Sequence, residues 1–272
     1  MLGAVIGDVI GSIFEWHNTK STDFKLYDRF TRFTDDTVLT VAVADAILNK
    51  KKHPIRLLDH LDSKRLYASK LRQYARWYPN VGYGQNFEAW AMNKESKPYR
   101  SYGNGSAMRV SPIGFAFNSI EEVLVESRRS ALVTHNHRQG IRGAQAIASA
   151  VFLARSNHSK DEIRTFIQQR FKYNLKQKLD EIRPTYMFDP SCQGSVPQAI
   201  IAFLESTNFE DAIRKAISIG GDSDTIACMT GGIAQAFYKE IPKDIVSEVM
   251  LKLDLKLRQV IGLFNDEYKI SL

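Results

Sequence analysis

The segment from residue 32 to residue 40 reads Arg32-Phe33-Thr34-Asp35-Asp36-Thr37-Val38-Leu39-Thr40. It places two neighbouring carboxylates directly before an apolar run that extends to Leu48 and is typical of a buried helix. Like charges at the start of a buried helix cost desolvation and repulsion energy, which the helix N-terminus and a bound cation can offset. A similar acidic segment, Gly220-Gly221-Asp222-Ser223-Asp224-Thr225, precedes a second run of small and apolar residues. The sequence therefore predicts that two acidic helix starts meet at one metal site.

The oxygen-bearing side chains of these two segments form the predicted ligand set. The set consists of Thr34, Asp35, Asp36, Asp222, Asp224 and Thr225. Hard oxygen ligands without a neighbouring His or Cys favour Mg²⁺, Mn²⁺ or Ca²⁺ over zinc, and four carboxylates could hold two divalent ions that share a bridging oxygen. A simpler alternative is that Asp36 and Asp224 only cap their helices, because Asp is common at the N-cap position.

The composition is that of an ordinary globular protein. The 272 residues are 44% hydrophobic and 25% charged, with a formal net charge of +7. This charge permits an anionic ligand, but the basic residues are dispersed except for a run at 50–52, which we interpret as a solvated helix end rather than a nucleic-acid patch. The two cysteines form no CxxC pair, and no run is long enough to span a membrane. Because the N-terminus also lacks a basic leader, we expect a cytoplasmic location. Separately, we expect a monomer.

Helical periodicity runs through most of the chain, and no segment alternates convincingly as a β-strand would. After an apolar first helix that ends near Glu15, helices are predicted at about residues 36–49, 54–76, 87–92, 119–133, 138–155, 159–171, 195–206, 208–218, 225–238 and 243–263. Pro54 could occupy a first helical turn, and Ser119 with Glu122 matches a capping box. No repeat or linker divides the chain, so residues 1–272 are predicted to form one all-α domain.

Two glycine patterns accompany these helices. Glycines at positions 3, 7 and 11 give the first helix a small face that another backbone can approach closely. Gly103-Asn104-Gly105-Ser106 could present backbone N–H groups to a phosphate, with Arg109 assisting, although such a turn is more often an ordinary loop.

Single polar residues near these motifs are further candidates. In Thr134-His135-Asn136-His137, we interpret His135 as a substrate contact rather than a metal ligand, because the predicted metal site is already rich in oxygen. Glu15 follows Ile13-Phe14 and precedes Trp16, so partial burial of its carboxylate is predicted.

Together these motifs resemble the ADP-ribosylglycohydrolase family, which includes the dinitrogenase reductase-activating glycohydrolase and the ADP-ribosyl-acceptor hydrolases. The matching segments are residues 7–15, 33–37, 103–109, 134–135, 191–197 and 220–225. They span nearly the whole chain, and their order and the pairing of two acidic motifs are specific. The resemblance implies a compact, single-domain orthogonal bundle of many helices with a binuclear metal site at its centre.

The resemblance also implies roles for individual residues. Two Mg²⁺ or Mn²⁺ ions would be held by the six oxygen ligands named above. The substrate-binding residues would be Gly103, Asn104, Gly105, Ser106 and Met108 around the diphosphate, with His135 lining the cleft. The ions would hold the hydroxyls of the distal ribose and lower the pKa of a bound water. Water would attack the anomeric carbon through an oxocarbenium-like state, with Glu15, Asp36 or Asp222 as the base or proton donor.

The predicted function is a metal-dependent ADP-ribosyl hydrolase that cleaves the glycosidic bond between ADP-ribose and an acceptor. The acceptor would be a modified protein side chain or a small molecule of the O-acetyl-ADP-ribose type. The continuation Trp16-His17-Asn18 is closer to the serine-directed and O-acetyl-ADP-ribose branch, while an arginine-linked substrate stays open. Two alternatives are a non-catalytic ADP-ribose-binding protein and a metal-dependent phosphohydrolase that splits the diphosphate.

The segments 77–102 and 173–190 lie outside the matching motifs and are rich in aromatic residues. Acceptor specificity in the family depends on such loops. Their side chains would either stack on adenine and shape the acceptor opening, or pack in the core and at the rim.

Overall fold

The protein is built from α-helices joined by turns and loops. Its structure, a computed structural model, describes residues 1–52 and 59–270. The helices are α1 (Leu2–Gly11), α2 (Asp35–Lys52), α3 (Asp59–Trp77), α4 (Gln85–Met92), α5 (Gly105–Met108), α6 (Ser111–Ala116), α7 (Ile120–Ala131), α8 (Arg138–Arg155), α9 (Lys160–Phe171), α10 (Leu179–Ile182), α11 (Cys192–Glu205), α12 (Phe209–Ser218), α13 (Ser223–Tyr238), α14 (Lys243–Lys252) and α15 (Leu255–Tyr268). Among these residues the β-structure is limited to an isolated bridge between Gly103 and Ser191, so the predicted all-α class is confirmed. None of the described helices is long and apolar enough to cross a membrane.

Local signals in the sequence place most helix ends within a few residues. The capping box at the start of α7 is present, because Glu122 N donates to Ser119 Oγ and Ser119 N donates to Glu122 Oε2, both at 3.2 Å. The predicted first turn at Pro54 lies outside the described residues.

Two predicted helices are wrong in extent. The helix predicted over 243–263 is interrupted at Leu253, which is extended, and Asp254 then caps α15 by accepting a hydrogen bond from Leu257 N at 3.0 Å. The first helix ends at Gly11 rather than near Glu15, and the chain turns there through a hydrogen bond from Phe14 N to Gly11 O. The short helices α5, α6 and α10 were not predicted, because four to six residues are too few to show a helical period.

The glycine face of α1 packs directly on the backbone of α13. A methyl group on Gly3 would overlap the carbonyl of Gly231, and one on Gly7 would overlap the carbonyl of Ala227. A methyl group on Gly11 would lie 2.5 Å from the Cα of Asp224. The partners follow in reverse order along α13, so the two helices are antiparallel. The predicted close approach of another backbone to this face is therefore confirmed.

The α1–α13 pair lies at the centre of the helical packing. Helix α13 also packs against α8, α11 and α12, while α2 packs against α1, α3 and α15. The first and last parts of the chain thus share one hydrophobic core. This packing favours the prediction of one domain over residues 1–272, which stays a prediction.

Replacing Gly7 by Ala is expected to lower the free energy of unfolding by about 2 kcal/mol or more, because the new methyl group must push two backbones apart. Gly262→Ala is the matched control, since a Cβ at that position in α15 meets no atom within 4 Å. The control is expected to raise stability by about 0.5 kcal/mol through its effect on the unfolded chain. Urea denaturation measures both variants, and equal stabilities would contradict the close-packing argument.

Candidate active site

The two acidic segments, which begin α2 and α13, meet in the folded protein. Thr225 Oγ1 donates a hydrogen bond to Asp36 Oδ2 at 3.2 Å, although the two residues are 189 positions apart in the sequence. Asp36, Asp222 and Asp224 are all buried. The α1–α13 contact explains the meeting, because it brings the end of α1 beside the start of α13 and α1 in turn touches α2.

The aspartates at these helix starts are not simple helix caps. Helix α2 begins at Asp35, so Asp36 lies inside its first turn rather than at the N-cap. The N-cap of α13 is Asp222, whose side chain makes no capping hydrogen bond, and Asp224 again lies inside the first turn. The capping alternative is therefore wrong for Asp36 and Asp224, and the reason for burying these carboxylates must lie elsewhere.

Two sets of carboxylates are close enough to hold a cation each. In the first set, Asp8, Asp36 and Asp224 each offer an oxygen, and these oxygens lie within 4.8 Å of one another. In the second set, Glu15, Asp222 and Asp224 do the same. Asp224 belongs to both sets, so the two candidate sites are adjacent and share one carboxylate.

Asp8 is a member of this cluster that sequence reasoning did not include among the site residues. Its carboxylate accepts hydrogen bonds from Thr34 N at 2.9 Å, Thr34 Oγ1 at 2.6 Å and Thr37 N at 3.1 Å, and also from Thr37 Oγ1. Because four donors already engage this carboxylate, we interpret Asp8 as the anchor that holds the start of α2 against α1 rather than as a metal ligand. The signal in the sequence was an acidic residue inside an otherwise apolar buried helix.

Asp36 and Asp35 differ in the surroundings of their carboxylate oxygens. Asp36 Oδ1 is buried and has no hydrogen-bond partner, which is the condition expected of an atom that binds a cation. Asp35 belongs to neither set of three. Its N–H donates to Val81 O at 2.9 Å, and its Oδ1 faces Gly82, where a Cβ would lie 3.1 Å away. The structure therefore places Asp35 at the edge of the cluster.

The two predicted threonine ligands each use their hydroxyl hydrogen on a carboxylate. Thr34 donates to Asp8 and Thr225 donates to Asp36. Each oxygen keeps a lone pair, because Thr34 Oγ1 accepts only from Asp36 N at 3.3 Å and no donor to Thr225 Oγ1 is present among the described residues. Both hydroxyl oxygens can thus still act as ligands.

Burial and crowding make the charged cluster costly in the absence of a cation. Burial raises the pKa of Asp36 well above its usual value, and the charges of Asp8, Asp35 and Asp222 raise it further. The pKa of Asp224 is raised well above its usual value by burial and then by Asp222 and Asp36. Positive charge placed among these side chains would remove most of this cost, so the donor set fits hard divalent cations.

Glu15 lies half-buried at the margin of the cluster, as its sequence context predicts. Burial, followed by the charge of Asp222, raises its pKa to about 7. A carboxyl group with this pKa can exchange a proton near neutral pH, which is what general acid–base catalysis requires.

A turn of two glycines fixes the position of Asp222. Gly220 and Gly221 both have positive φ angles, +74° and +73°, which residues with a Cβ rarely adopt. Asn18 clamps this turn, because its side chain accepts from Gly221 N at 2.6 Å and donates to Gly221 O at 3.1 Å. The segment that follows Glu15 therefore helps to set the geometry of the second acidic motif.

The predicted phosphate loop lies next to the acidic cluster. Asn104 Nδ2 donates to Asp222 Oδ2 at 2.7 Å, so this side chain links the loop to the start of α13. Among the described residues, the N–H groups of Gly105 and Ser106 have no acceptor, whereas Gly103 N and Asn104 N donate to Ser101 Oγ and Pro190 O. Because Ser106 has no exposed surface, the backbone donor that the loop can offer to an anion is Gly105 N.

The side chains of Ser106 and Met108, two other predicted substrate-binding residues, make contacts within the fold. Ser106 is completely buried and its hydroxyl donates to Gly140 O at 2.8 Å. Met108 lies in the hydrophobic core, and its carbonyl accepts from Thr40 Oγ1 at 3.5 Å. Neither side chain is therefore available to a ligand.

His135 borders the phosphate loop. A Cβ on Gly105 would lie 3.3 Å from its Nε2, and one on Gly103 would lie 3.9 Å away. Its other ring nitrogen, Nδ1, is 2.7 Å from Thr134 Oγ1. The structure thus brings His135, the loop and the acidic helix starts into one region.

An exposed aromatic pair lies on the two segments that flank the acidic cluster. The ring of Trp16, the residue after Glu15, stacks on Phe188 with centroids 6.4 Å apart and planes inclined by 19°. Lys20 joins the same two segments to the Gly220 turn, because its Nζ donates to Tyr186 O at 2.7 Å and to Ile219 O at 2.6 Å. Phe188 lies in the aromatic-rich segment 173–190 noted from the sequence, but the sequence does not predict its pairing with Trp16.

Comparison with known proteins identifies the family. The sequence matches the ADP-ribosylglycohydrolase family over residues 1–268. ADP-ribosylhydrolase ARH3 is 28% identical in Homo sapiens and 27% identical in Xenopus tropicalis, over 88% of this chain and 84% and 86% of those proteins. The ADP-ribosylarginine hydrolase Tri1 of Pseudomonas putida is 25% identical over 88% of this chain and 69% of that protein.

A solved structure of an ADP-ribosylglycohydrolase-related protein complex has the same fold, with a TM-score of 0.69 at 22% identity over 100% of this chain and 96% of that chain. These matches confirm both the resemblance inferred from the motifs and the predicted enzyme class, a glycohydrolase. Since the family match covers nearly the whole chain, this protein belongs to the ADP-ribosylglycohydrolase family.

Proposed function

We propose that this protein is a metal-dependent hydrolase that releases ADP-ribose from a modified acceptor by cleaving the glycosidic bond at the distal ribose. The observation that carries the proposal is the convergence of three buried aspartates, Asp36, Asp222 and Asp224, in two adjacent carboxylate sets that share Asp224. Asp8 and Glu15, the other members of these sets, border the proposed ligands. The relatives named above are hydrolases of ADP-ribosylated substrates, which supports the same substrate class here.

The proposed cations are two Mg²⁺ or Mn²⁺ ions held by Asp36, Asp222, Asp224 and the hydroxyl oxygens of Thr34 and Thr225. Asp35, at the edge of the cluster, is the sixth proposed ligand. When bound, the ions supply positive charge that orients the ribose hydroxyls and polarises the reacting centre. The unpartnered Oδ1 of Asp36 supports this assignment, because a buried acceptor without a donor otherwise destabilises the fold.

Glu15 is the residue that we propose as the proton-transfer group. Of the three candidates from the sequence, Asp36 and Asp222 are buried and already accept hydrogen bonds from Thr225 and Asn104. Glu15 is only half-buried and lies at the margin of the cluster, so its carboxyl group can reach a water or the leaving acceptor and exchange a proton with it. The bond from the anomeric carbon to the acceptor breaks, and water adds to that carbon through an oxocarbenium-like state.

The phosphate loop would bind the diphosphate of the same ligand. Gly105 N is a free donor, and His135 Nε2 lies beside it. The Trp16–Phe188 pair would lie on the acceptor side, since Trp16 follows Glu15 directly. The cytoplasmic location and the monomeric state stay predictions.

A substrate panel tests the proposed reaction. Arginine-linked, serine-linked and nucleic-acid-linked ADP-ribose and O-acetyl-ADP-ribose are each incubated with the protein and Mg²⁺ or Mn²⁺, with and without EDTA. Intact ADP-ribose is expected as the product from at least one substrate, and EDTA is expected to abolish its release. AMP as the product would instead favour the phosphohydrolase, and tight binding of ADP-ribose without turnover would favour the binding protein.

Asp224→Asn is expected to reduce the release of ADP-ribose by at least about 100-fold, because loss of partners outside the ligand shell already costs 10–100-fold and this residue is shared by both proposed sites. Asp266→Asn, an exposed position on α15, is the matched control and should retain full activity. Full activity of Asp224→Asn in the presence of Mg²⁺ or Mn²⁺ would exclude the proposed metal role.

Removal of the ions is expected to make stability depend on pH. Burial raises the pKa values of Asp36, Asp222 and Asp224 in the folded metal-free protein above the unfolded value of about 4. The folded state then binds more protons than the unfolded state, so this contribution to stability is full below the unfolded pKa and is lost as pH rises through the folded pKa values.

Glu15, whose pKa in the metal-free protein is raised to about 7, places part of this loss between about pH 6 and pH 8. In EDTA, the free energy of unfolding should therefore be lower at about pH 8 than at about pH 6, and Mg²⁺ should raise it mainly at the higher pH. Urea denaturation at both pH values, with and without Mg²⁺, measures this difference. A metal-free protein that becomes more stable as pH rises through this range would contradict the electrostatic interpretation of the cluster.

A further inference from the structure

A buried row of polar side chains connects the protein core to the phosphate loop. Arg109 Nη2 donates to Thr134 Oγ1 at 2.9 Å and to Ser130 O at 3.1 Å. Thr134 Oγ1 in turn lies 2.7 Å from His135 Nδ1. Arg109 and Thr134 have no exposed surface, and His135 is 4% exposed. The orientation of each group in this row is therefore controlled by its neighbours and not by water.

The hydrogen bond from Arg109 determines how the hydroxyl of Thr134 is oriented. A guanidinium group only donates hydrogen bonds, so Thr134 Oγ1 must accept from it and its own hydrogen points away. Two acceptors are then near that hydrogen, His135 Nδ1 and the phenol oxygen of Tyr99. A neutral imidazole nitrogen is the stronger acceptor, so the Thr134 hydrogen goes to Nδ1 and Nδ1 carries no proton.

His135 stays neutral in this environment. Burial and the charge of Arg109 both lower its pKa well below the usual value. A neutral ring with an unprotonated Nδ1 has its single hydrogen on Nε2. That nitrogen lies 3.3 Å from the position of a Cβ on Gly105 and has no hydrogen-bond partner among the described residues.

We propose that Arg109, acting through Thr134, holds His135 in the tautomer that carries its hydrogen on Nε2, so that this N–H donates to the diphosphate of ADP-ribose beside the Gly103–Ser106 loop. The identity of the ligand rests on the proposed function, whereas the tautomer does not. Arg109 and Thr134 are positioning residues in this arrangement, and His135 is the group that touches the ligand.

The arrangement has a chemical advantage at this position. A neutral N–H donor next to the free N–H group of Gly105 binds a phosphate oxygen without adding a buried charge. With the opposite tautomer, a bare Nε2 would face the phosphate with a lone pair and repel it. Control of the tautomer therefore decides whether His135 attracts or repels the ligand.

The tautomer is tested directly by ¹⁵N NMR of the full-length ¹⁵N-histidine-labelled protein, with His135 assigned by comparison with His135→Gln. The expected spectrum has an unprotonated Nδ1 and a protonated Nε2 for His135. In Thr134→Val, which has nearly the same shape but no hydroxyl, this pattern should be lost or become a mixture. Thr134→Ser restores the hydroxyl and should restore the pattern.

Isothermal titration calorimetry with ADP-ribose tests whether the tautomer of His135 affects the affinity for this ligand. Thr134→Val is expected to weaken binding by about tenfold, the value of one net hydrogen bond, while Thr134→Ser should bind within about twofold of the unchanged protein. His135→Gln, which keeps a side-chain N–H, should bind more tightly than His135→Leu. Thermal unfolding of each variant identifies any that fail to fold.

Each outcome bears on a different part of the proposal. A protonated Nδ1 in the unchanged protein, or an unaltered Nε2–H in a folded Thr134→Val, would overturn the positioning role of Arg109 and Thr134. The expected tautomer combined with equal ADP-ribose affinity in all variants would overturn the contact with the diphosphate. If the tautomer is as expected but the unchanged protein binds no ADP-ribose, the proposed function fails while the control of the tautomer stands.

Discussion

Buried negative charge is the constraint on which the rest of the structure depends. Carboxylates from α1, α2 and α13 lie in a region where burial and mutual repulsion raise their pKa values. The fold accommodates them with helix N-termini, with hydroxyl and amide donors, and with a geometry that fits divalent cations. Many of the neighbouring features serve this cluster: the Gly220-Gly221 turn, the Asn18 clamp and the link from Asn104 to Asp222.

Helix α1 holds this arrangement together through two different surfaces. Its glycine face meets the backbone of α13, and Asp8 binds the first turn of α2 through four hydrogen bonds. Either contact alone would position one acidic segment but not the other. The first helix contributes only Asp8 to the two carboxylate sets, yet it sets the distance between the two halves of the site.

The sequence predicted the fold class and the two acidic segments because both follow from local patterns, helical periodicity and repeated Asp-Thr motifs. It did not predict the role of Asp8, whose partners Thr34 and Thr37 are known only once α1 and α2 are packed together. The side chains of Ser106 and Met108 matched a motif, but burial turns one toward Gly140 and the other into the core. The break at Leu253 was not predicted because the apolar periodicity continues across it. There the side chain of Asp254 accepts a hydrogen bond from Leu257 N and starts a new helix, which interrupts the continuous helix that the periodicity predicts.

The contact between α1 and α13 also has a consequence for how the protein is made. The helices are joined by more than two hundred residues of chain, so a ribosome delivers α1 long before its partner exists. Without α13, the cluster lacks Asp224 and the backbone that covers the glycine face of α1. Closing this long loop is slow and entropically unfavourable, and it is also the event that takes the carboxylates out of water. The electrostatic cost of the site therefore arises late in folding, when the packing of the whole core is available to offset it.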